Sequence, residues 1–197
     1  IRANGFELGL QMMTGLFGDT PLQSYRTARR LSALQPDTLR IYPTVVLPDT
    51  YLEDLYRKGE YIPLDLGQSI RLCAGLLQYF ELQRGIPVIR LGLHASEMLE
   101  SDAIAGAYHP AFRELCENRI YLKKALGLLP ETPQPILIYV APSAVSKMVG
   151  QKRCNLQNLQ QKGFSVKVLP DSKLKPYEVN VKGGVNFAVK IPTDSGF

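Results

Sequence analysis

Between residues 6 and 91 the hydrophobic period switches repeatedly between two and 3.6, and this alternation constrains the fold more than any other feature. Phe6 to Thr14 alternates and then runs apolar, which suits a strand buried in a parallel sheet. Gly15 to Thr20 reads as a loop, with Asp19 or Thr20 placed to cap a helix and Pro21 at its first position. Leu22, Tyr25, Ala28, Leu31 and Leu34 then recur at helical spacing, with Arg26, Arg29 and Arg30 outside the stripe. Pro36-Asp37 stops that helix, and Thr38 to Tyr42 is a second strand. Asp65 caps a long helix to about Arg84, with Ile70, Cys73, Ala74, Leu77, Phe80 and Leu82 as its apolar face. Gly85 closes it, and Pro87 to Leu91 is a third strand. Strands joined by helical crossovers pair in parallel, so the class is α/β. Three such strands cannot close a barrel, and a parallel sheet this small is poorly covered.

The densest stretch lies inside this pattern, from Leu39 to Tyr61. The strand residues Arg40 and Tyr42 share one face and run into Pro43. An apolar run, Val45 to Leu47, and a turn at Pro48-Asp49-Thr50 follow. A short helix, Tyr51 to Lys58, ends at Gly59. A strand that hands over to a loop and helix in this way is how α/β enzymes present chemistry at a carboxyl end.

Beyond the third strand, His94 to Tyr108 reads as a loop with an acidic run around Glu97. His109-Pro110 opens a helix to about Leu126, with Phe112, Leu115, Ile120 and Leu122 inward. Three prolines between Leu128 and Pro135 mark a linker. The expected division is 1–127, a linker at 128–135, and a small α+β module at 136–197. In that module Ile136–Val140 is a strand and Ser143–Val149 a short helix. Gly150 to Arg153 is a basic turn, Asn155–Gln161 a second helix, and Phe164–Leu169 a strand. Tyr177–Val181 with Val185–Ile191 forms a closing hairpin around Gly183-Gly184.

Totals exclude several classes. Of 197 residues, 45% are hydrophobic and 21% charged, as in ordinary globular domains. No run approaches the roughly 20 apolar residues of a membrane span, so no membrane partner is expected. A formal charge of +5 permits a phosphate or nucleic-acid partner without requiring one. Cys73, Cys116 and Cys154 are odd in number and scattered, which argues for a reducing, cytoplasmic setting and against disulfides. No pair among them has metal-ligand spacing, so no metal site is expected. Ile1 to Gly5 reads as the end of a helix capped by Gly5, and a fragment of a longer protein is expected.

At Leu39–Tyr61 the chain resembles the radical S-adenosylmethionine (radical SAM) enzymes related to the Elongator catalytic subunit. Leu39, Arg40, Ile41, Tyr42, Pro43, Thr44, Val46, Thr50, Leu52, Leu55, Tyr56, Gly59 and Tyr61 fit that family's pattern, thirteen positions in twenty-three. Gly15-Leu16-Phe17-Gly18-Asp19-Thr20 resembles the GLPG(D/Q)T strand end shared with oxygen-independent coproporphyrinogen III oxidases, with Phe17 where that motif has Pro. Arg90 to His94 and Ala105 to Pro110 resemble the bacterial Elongator-like branch. The resemblance covers about residues 1–125 and implies the last three strands of a (βα)6 partial TIM barrel. It implies S-adenosylmethionine and a [4Fe–4S] cluster in the full-length protein, with reductive cleavage to a deoxyadenosyl radical that abstracts a substrate hydrogen. Three thiolates in a CxxxCxxC loop hold that cluster in the family. The chain has no such spacing, so the fragment is expected to bind neither cofactor and to be inactive alone. The substrate class implied is RNA, tRNA in particular. A small molecule such as a porphyrin precursor, or a pure RNA- or partner-binding role, stays open.

On this reading Gln11, Arg40 and Arg90 are cofactor-binding candidates, and Tyr42 and His94 catalytic ones. Gln11, taken as a buried amide, needs partners that a ligand's ribose or carboxylate could supply. A backbone loop could supply them equally. Arg40 can pair with a carboxylate or phosphate, and Tyr42 can donate to a substrate or relay group. Alternatively Arg40 meets an acidic neighbour and Tyr42 packs. Arg90 and His94 sit at a strand's carboxyl end, where barrel active-site groups sit. His109 is expected to cap its own helix.

The order strand–helix–turn–helix–strand in the tail resembles the core of KH-type RNA-binding modules, whose inter-helix loop clamps nucleic-acid backbone. Lys147, Gly150, Gln151, Lys152 and Arg153 would be the contacts, with Arg153 where the GxxG loop has its second glycine. The competing reading is a small cap over the barrel. The raw edge of a half barrel is expected to be covered by the missing N-terminal half, by the tail, or by a second copy.

Overall fold

The computed structural model describes residues 1–94 and 102–184. It divides into two compact units, Ile1–Arg119 and Ile120–Phe197. The fold is mixed α/β. Among the described residues no helix is long and apolar enough to cross a membrane.

The first unit is built on a three-stranded parallel sheet of β1 (Gly9–Thr14), β2 (Thr38–Pro43) and β4 (Val88–Leu91), in the order β1-β2-β4. The sheet stays open. Neighbours follow chain order in one direction, and α1 (Pro21–Ala33) and α3 (Leu66–Leu77) make the crossovers. Thr20 caps α1 by accepting the Gln23 N–H at 3.2 Å, while Asp19 accepts from the Gly15 N–H and the Ser24 hydroxyl. Asp65 and Gln68 form a reciprocal capping box on α3.

Side chains alternate across the sheet. Met12, Thr14, Leu39, Ile41, Val88 and Leu91 are buried with Ala28, Leu72, Cys73, Leu76, Leu77 and Phe80. Leu39 and Ile41 have no exposed surface, and burial of each stabilises the fold by about 1.5–3 kcal/mol. The opposite side of the strands, with Gln11, Met13 and Arg40, is exposed.

Several helical details differ from expectation. On α1 the buried positions are Ser24, Ala28 and Ser32, four residues apart, while Leu22 and Leu34 are exposed. Small side chains at this spacing let the helix lie close, and the period-3.6 count alone selects the larger residues. The long helix is α-helical only to Leu77 and continues as a π-helical turn, Gln78–Gln83. That turn resets the phase, so Phe80 is buried, Leu82 is exposed, and the Tyr79 hydroxyl meets Ser32 at 2.8 Å.

The loop after β2 is ordered by a second, two-stranded sheet. β3 (Val45–Val46) pairs antiparallel with β5 (Ala105–Gly106), where the sequence reads as loop. α2 (Tyr51–Arg57) follows, capped by Thr50 and ended by Lys58 before Gly59 at φ 75°. Val46, Leu55 and Tyr61 form a small core here with Leu52 and Ala105. The acidic run around Glu97 lies outside the described residues. α4 (Phe112–Leu126) follows, and the boundary between units falls within it. Its buried side chains include Cys116, Glu117, Asn118 and Tyr121 besides the expected Phe112 and Ile120. Leu115 and Leu122 are only half-buried. Arg113 donates to Glu117, Glu81 and the Val88 carbonyl, so the carboxylate of Glu117 is paired.

In the second unit β6 (Pro135–Val140) is the central strand. β7 (Ser165–Pro170) pairs with it in parallel and β8 (Val179–Gly183) antiparallel. β8, the first arm of the expected hairpin, takes a ladder from β6. The hairpin's proposed second arm, 185–191, lies outside the described residues. Between β6 and β7 run a 3-10 turn (Pro142–Ala144), α5 (Val145–Val149), a 3-10 turn (Gln151–Arg153) and α6 (Cys154–Gln161). Tyr121 stacks on Tyr177 at 5.7 Å and accepts its backbone N–H at 2.7 Å.

Candidate functional site

The parallel register brings three of the sequence candidates into one row. Gln11 stands opposite Arg40, and Arg40 opposite Arg90. A bulge between Leu39 and Arg40 makes the second pairing, because Val88 opposes Leu39 and Ile89 is passed over. The next row holds Met13 and Tyr42. Neighbouring strands lie about 4.8 Å apart, so Arg40 and Arg90 have adjacent backbones.

Gln11 is exposed, which corrects its reading as a buried amide. β1 is an edge strand of the sheet among the described residues, and a groove of about 550 Å³ is lined by Gln11, Met13, Phe17, Asp19, Arg26 and Arg30 among others. Among the described residues neither Arg40 nor Arg90 holds a salt bridge. The acidic neighbour envisaged for Arg40 is thus absent among them. Like charges side by side on adjacent strands are mutually unfavourable, and a bridging carboxylate or phosphate relieves them. Tyr42 is half-buried. His94 is exposed beyond the end of β4. His109 accepts the Ala111 N–H on Nδ1 at 3.0 Å, as its capping role requires.

At the carboxyl end of β2 two distant motif segments meet. Gly106, at φ 107°, lies so close to the β2–β3 connection that a Cβ would stand 2.8 Å from the Thr44 carbonyl oxygen. The Thr44 hydroxyl is buried with no hydrogen-bond partner among the described residues. Spacing in the sequence gives no sign of this contact.

The thiols do not fit an iron–sulfur cluster. Cys73 and Cys116 are buried, and Cys154 is in the other unit. Burial pushes the Cys73 thiol up to about 11, offset in part by its Thr14 hydrogen bond, and raises Cys116 further. Among the described residues no three His, Cys, Asp or Glu side chains gather as a metal site.

The tail candidates surround one turn. Gly150, at φ 79°, has no room for a side chain, since a Cβ would meet the Cys154 Sγ at 2.7 Å and the Asn155 backbone N at 3.0 Å. Lys152 and Arg153 are both left-handed, at φ 51° and 62°, and both exposed. Each costs about 1–2 kcal/mol in that conformation. Asn155, 3% exposed, donates to the Lys147 carbonyl at 3.2 Å and fixes the turn from below. Lys147 and Gln151 are half-buried and have interactions of their own.

Residues 36–122, somewhat less than half the chain, match the Radical_SAM C-terminal domain. An uncharacterized protein of Methanocaldococcus jannaschii is 37% identical over 75 residues. That segment is 38% of this chain and 23% of the relative, so the chain spans only about a quarter of the relative's length. The domain match includes Arg40, Tyr42, Arg90 and His94, and it supports a member of the radical SAM family.

Proposed function

We propose that residues 1–119 are the substrate-facing end of a radical SAM enzyme of the Elongator-like branch, acting on RNA and on tRNA in particular. The observation that carries this reading is the pair of arginines, Arg40 and Arg90, in register within the matched segment and without a salt bridge among the described residues. An all-parallel sheet is normally covered on both faces. Here strand order runs one way and, among the described residues, Gln11, Met13 and Arg40 stand exposed on one face, as expected of a wall of a partial (βα)6 barrel. Gln11, Arg40 and Arg90 then bind polar and anionic groups of S-adenosylmethionine or substrate, and Tyr42 stands beside them as a donor. The cofactor, when bound, supplies the hydrogen-abstracting chemistry. The cluster it needs belongs to residues outside this chain, since the three thiols here do not fit one.

The longest natural form of the protein, purified without oxygen, provides the test. Iron and labile sulfide should reach a full cluster complement, and reduction should release 5′-deoxyadenosine. Arg40→Gln with Arg90→Gln should keep the cluster's absorption and lower that release about tenfold or more. A protein without a cluster sinks the family reading, and an unchanged rate sinks the role of the arginines. Nucleoside digests of treated tRNA should show a new mass, and its absence removes the RNA substrate.

A further inference from the structure

We propose that the cleft between the loop after β1 and the end of the Leu39–Tyr61 segment is a seat for a single guanine base of the substrate RNA. The cleft has a volume of about 250 Å³ and is lined by Gly15, Phe17, Asp19, Glu60, Tyr61 and Ile62 among others. Space for about eight waters of about 30 Å³ each admits one planar ring system and excludes a helix about 10 Å across. Two apolar side chains stand open on it, Phe17 at 58% and Ile62 at 85% exposure. Exposed aromatic and aliphatic groups gathered on one cleft mark a binding surface.

The loop holds Phe17 in place. Gly15 and Gly18, both at φ 74°, turn the chain on either side of it. The Asp19 N–H returns to the Leu16 carbonyl at 2.8 Å. Tyr61, tied by its hydroxyl to the Gly15 carbonyl, meets the Phe17 ring edge-on at 6.4 Å. An edge contact leaves the ring faces for stacking, and unpaired RNA bases are bound by stacking on such rings.

Glu60 decides which base. Asp19 already accepts from the Gly15 and Thr20 N–H groups and the Ser24 hydroxyl. Glu60 is exposed and holds no salt bridge among the described residues, on a backbone fixed by its N–H to the Leu55 carbonyl at 2.9 Å. A carboxylate offers two acceptor oxygens and no donor. Guanine alone among the RNA bases presents two adjacent donors, N1–H and N2–H, to such a group. Adenine places an acceptor, N1, beside its amino group, so the cofactor's adenine fits this seat poorly. Phe17 stands where the GLPG(D/Q)T motif has Pro, and Glu60 and Ile62 lie outside the thirteen matched positions, so these walls are particular to this chain. The cleft lies at the carboxyl end of β1, which the proposed function gives to substrate. Assigning the base to RNA rests on that reading, whereas binding of the base needs no cluster.

The chain has no tryptophan, so Phe17→Trp supplies a sole fluorophore at the seat. Titrated into that 197-residue variant, the RNA trinucleotide UpGpU should quench the fluorescence saturably, about tenfold tighter than UpApU or S-adenosylmethionine. Calorimetry on the parent chain should give the same order. Phe17→Ala should weaken UpGpU about tenfold or more, and Glu60→Gln should remove most of the preference over UpApU. Equal affinity for the two trinucleotides, no saturation with either, or tighter binding of S-adenosylmethionine would overturn the proposal. A full-length protein without a cluster that still prefers UpGpU sinks the proposed function alone. A cluster-bearing, active enzyme that ignores the trinucleotides sinks the guanine seat alone.

Discussion

The Tyr61 hydroxyl donates to the Gly15 carbonyl at 2.6 Å, tying the end of the Leu39–Tyr61 segment to the loop that leaves β1. Forty-six residues separate the two. Tyr61 is 6% exposed and its ring meets Phe17 edge-on at 6.4 Å. Tyr61→Phe keeps the packing and removes the donor. It should cost about 1 kcal/mol, seen as a lower urea midpoint with an unchanged slope.

The β3–β5 contact depends on Gly106. Gly106→Ala forces a side chain into the Thr44 carbonyl at a φ that L-residues avoid, and should cost roughly 2 kcal/mol or more. Thr44→Val removes the hydroxyl, unpartnered among the described residues, at nearly constant shape, so thermal stability should hold or rise. A large loss for Thr44→Val would mean that the hydroxyl has a partner in solution.

α1 meets α3 at Gly75, where a Cβ would stand 2.0 Å from the Tyr25 hydroxyl oxygen. Gly75→Ala alone should destabilise, although alanine favours a helix. Tyr25→Phe removes the clashing atom, so the double variant should recover most of the loss. A double-mutant cycle with no coupling would rule out this contact.

Thiol chemistry distinguishes the three cysteines. Cys154 is exposed, while Cys73 and Cys116 are buried and held as thiols. One equivalent of Ellman's reagent should react with the folded protein near pH 8, and three in denaturant. Cys154→Ser should abolish the fast phase.

Stability should fall at both ends of the pH range. Asp37 is held below its ordinary 3.8 mainly by the Leu8 N–H and then by Arg2, and Glu53 below 4.5 by Arg57 and then the Asp49 N–H. Folded-state values below the unfolded ones give stability that is complete above these values and lost as pH falls past them. Cys73, Tyr25 and Tyr61 are raised, chiefly by burial, from 9.0, 10.0 and 10.0. Their contribution is complete below those values and disappears as pH rises through the folded ones. Urea midpoints should therefore be flat from about pH 6 to 8 and decline on either side. Asp37→Asn should remove part of the acid limb.

Much of the fold was legible because local signals agreed. Thr20, Thr50 and Asp65 cap the helices they precede, and the strand–helix alternation yields the parallel order. The failures arose where a neighbour decided. Ser24, Ala28 and Ser32 face inward on α1 because the helix lies close, which hydrophobicity cannot signal. The π-helical turn at Gln78–Gln83 rotated Leu82 out of a face drawn at constant period. Gln11 looked buried among apolar neighbours, yet it is exposed on its side of the sheet.

By itself the sequence determined the α/β class, the caps, the order of strands, and the presence of Arg40 and Tyr42 on one face. These follow from periodicity and capping, which act over a few residues. Only the tertiary structure decided that Arg90 stands beside Arg40, because a single bulge sets that register. It alone decided that Gly106 closes on Thr44, and that Lys152 and Arg153 are left-handed above Asn155. Contacts of this kind join residues far apart in the chain or depend on backbone angles, and neither is encoded in local spacing.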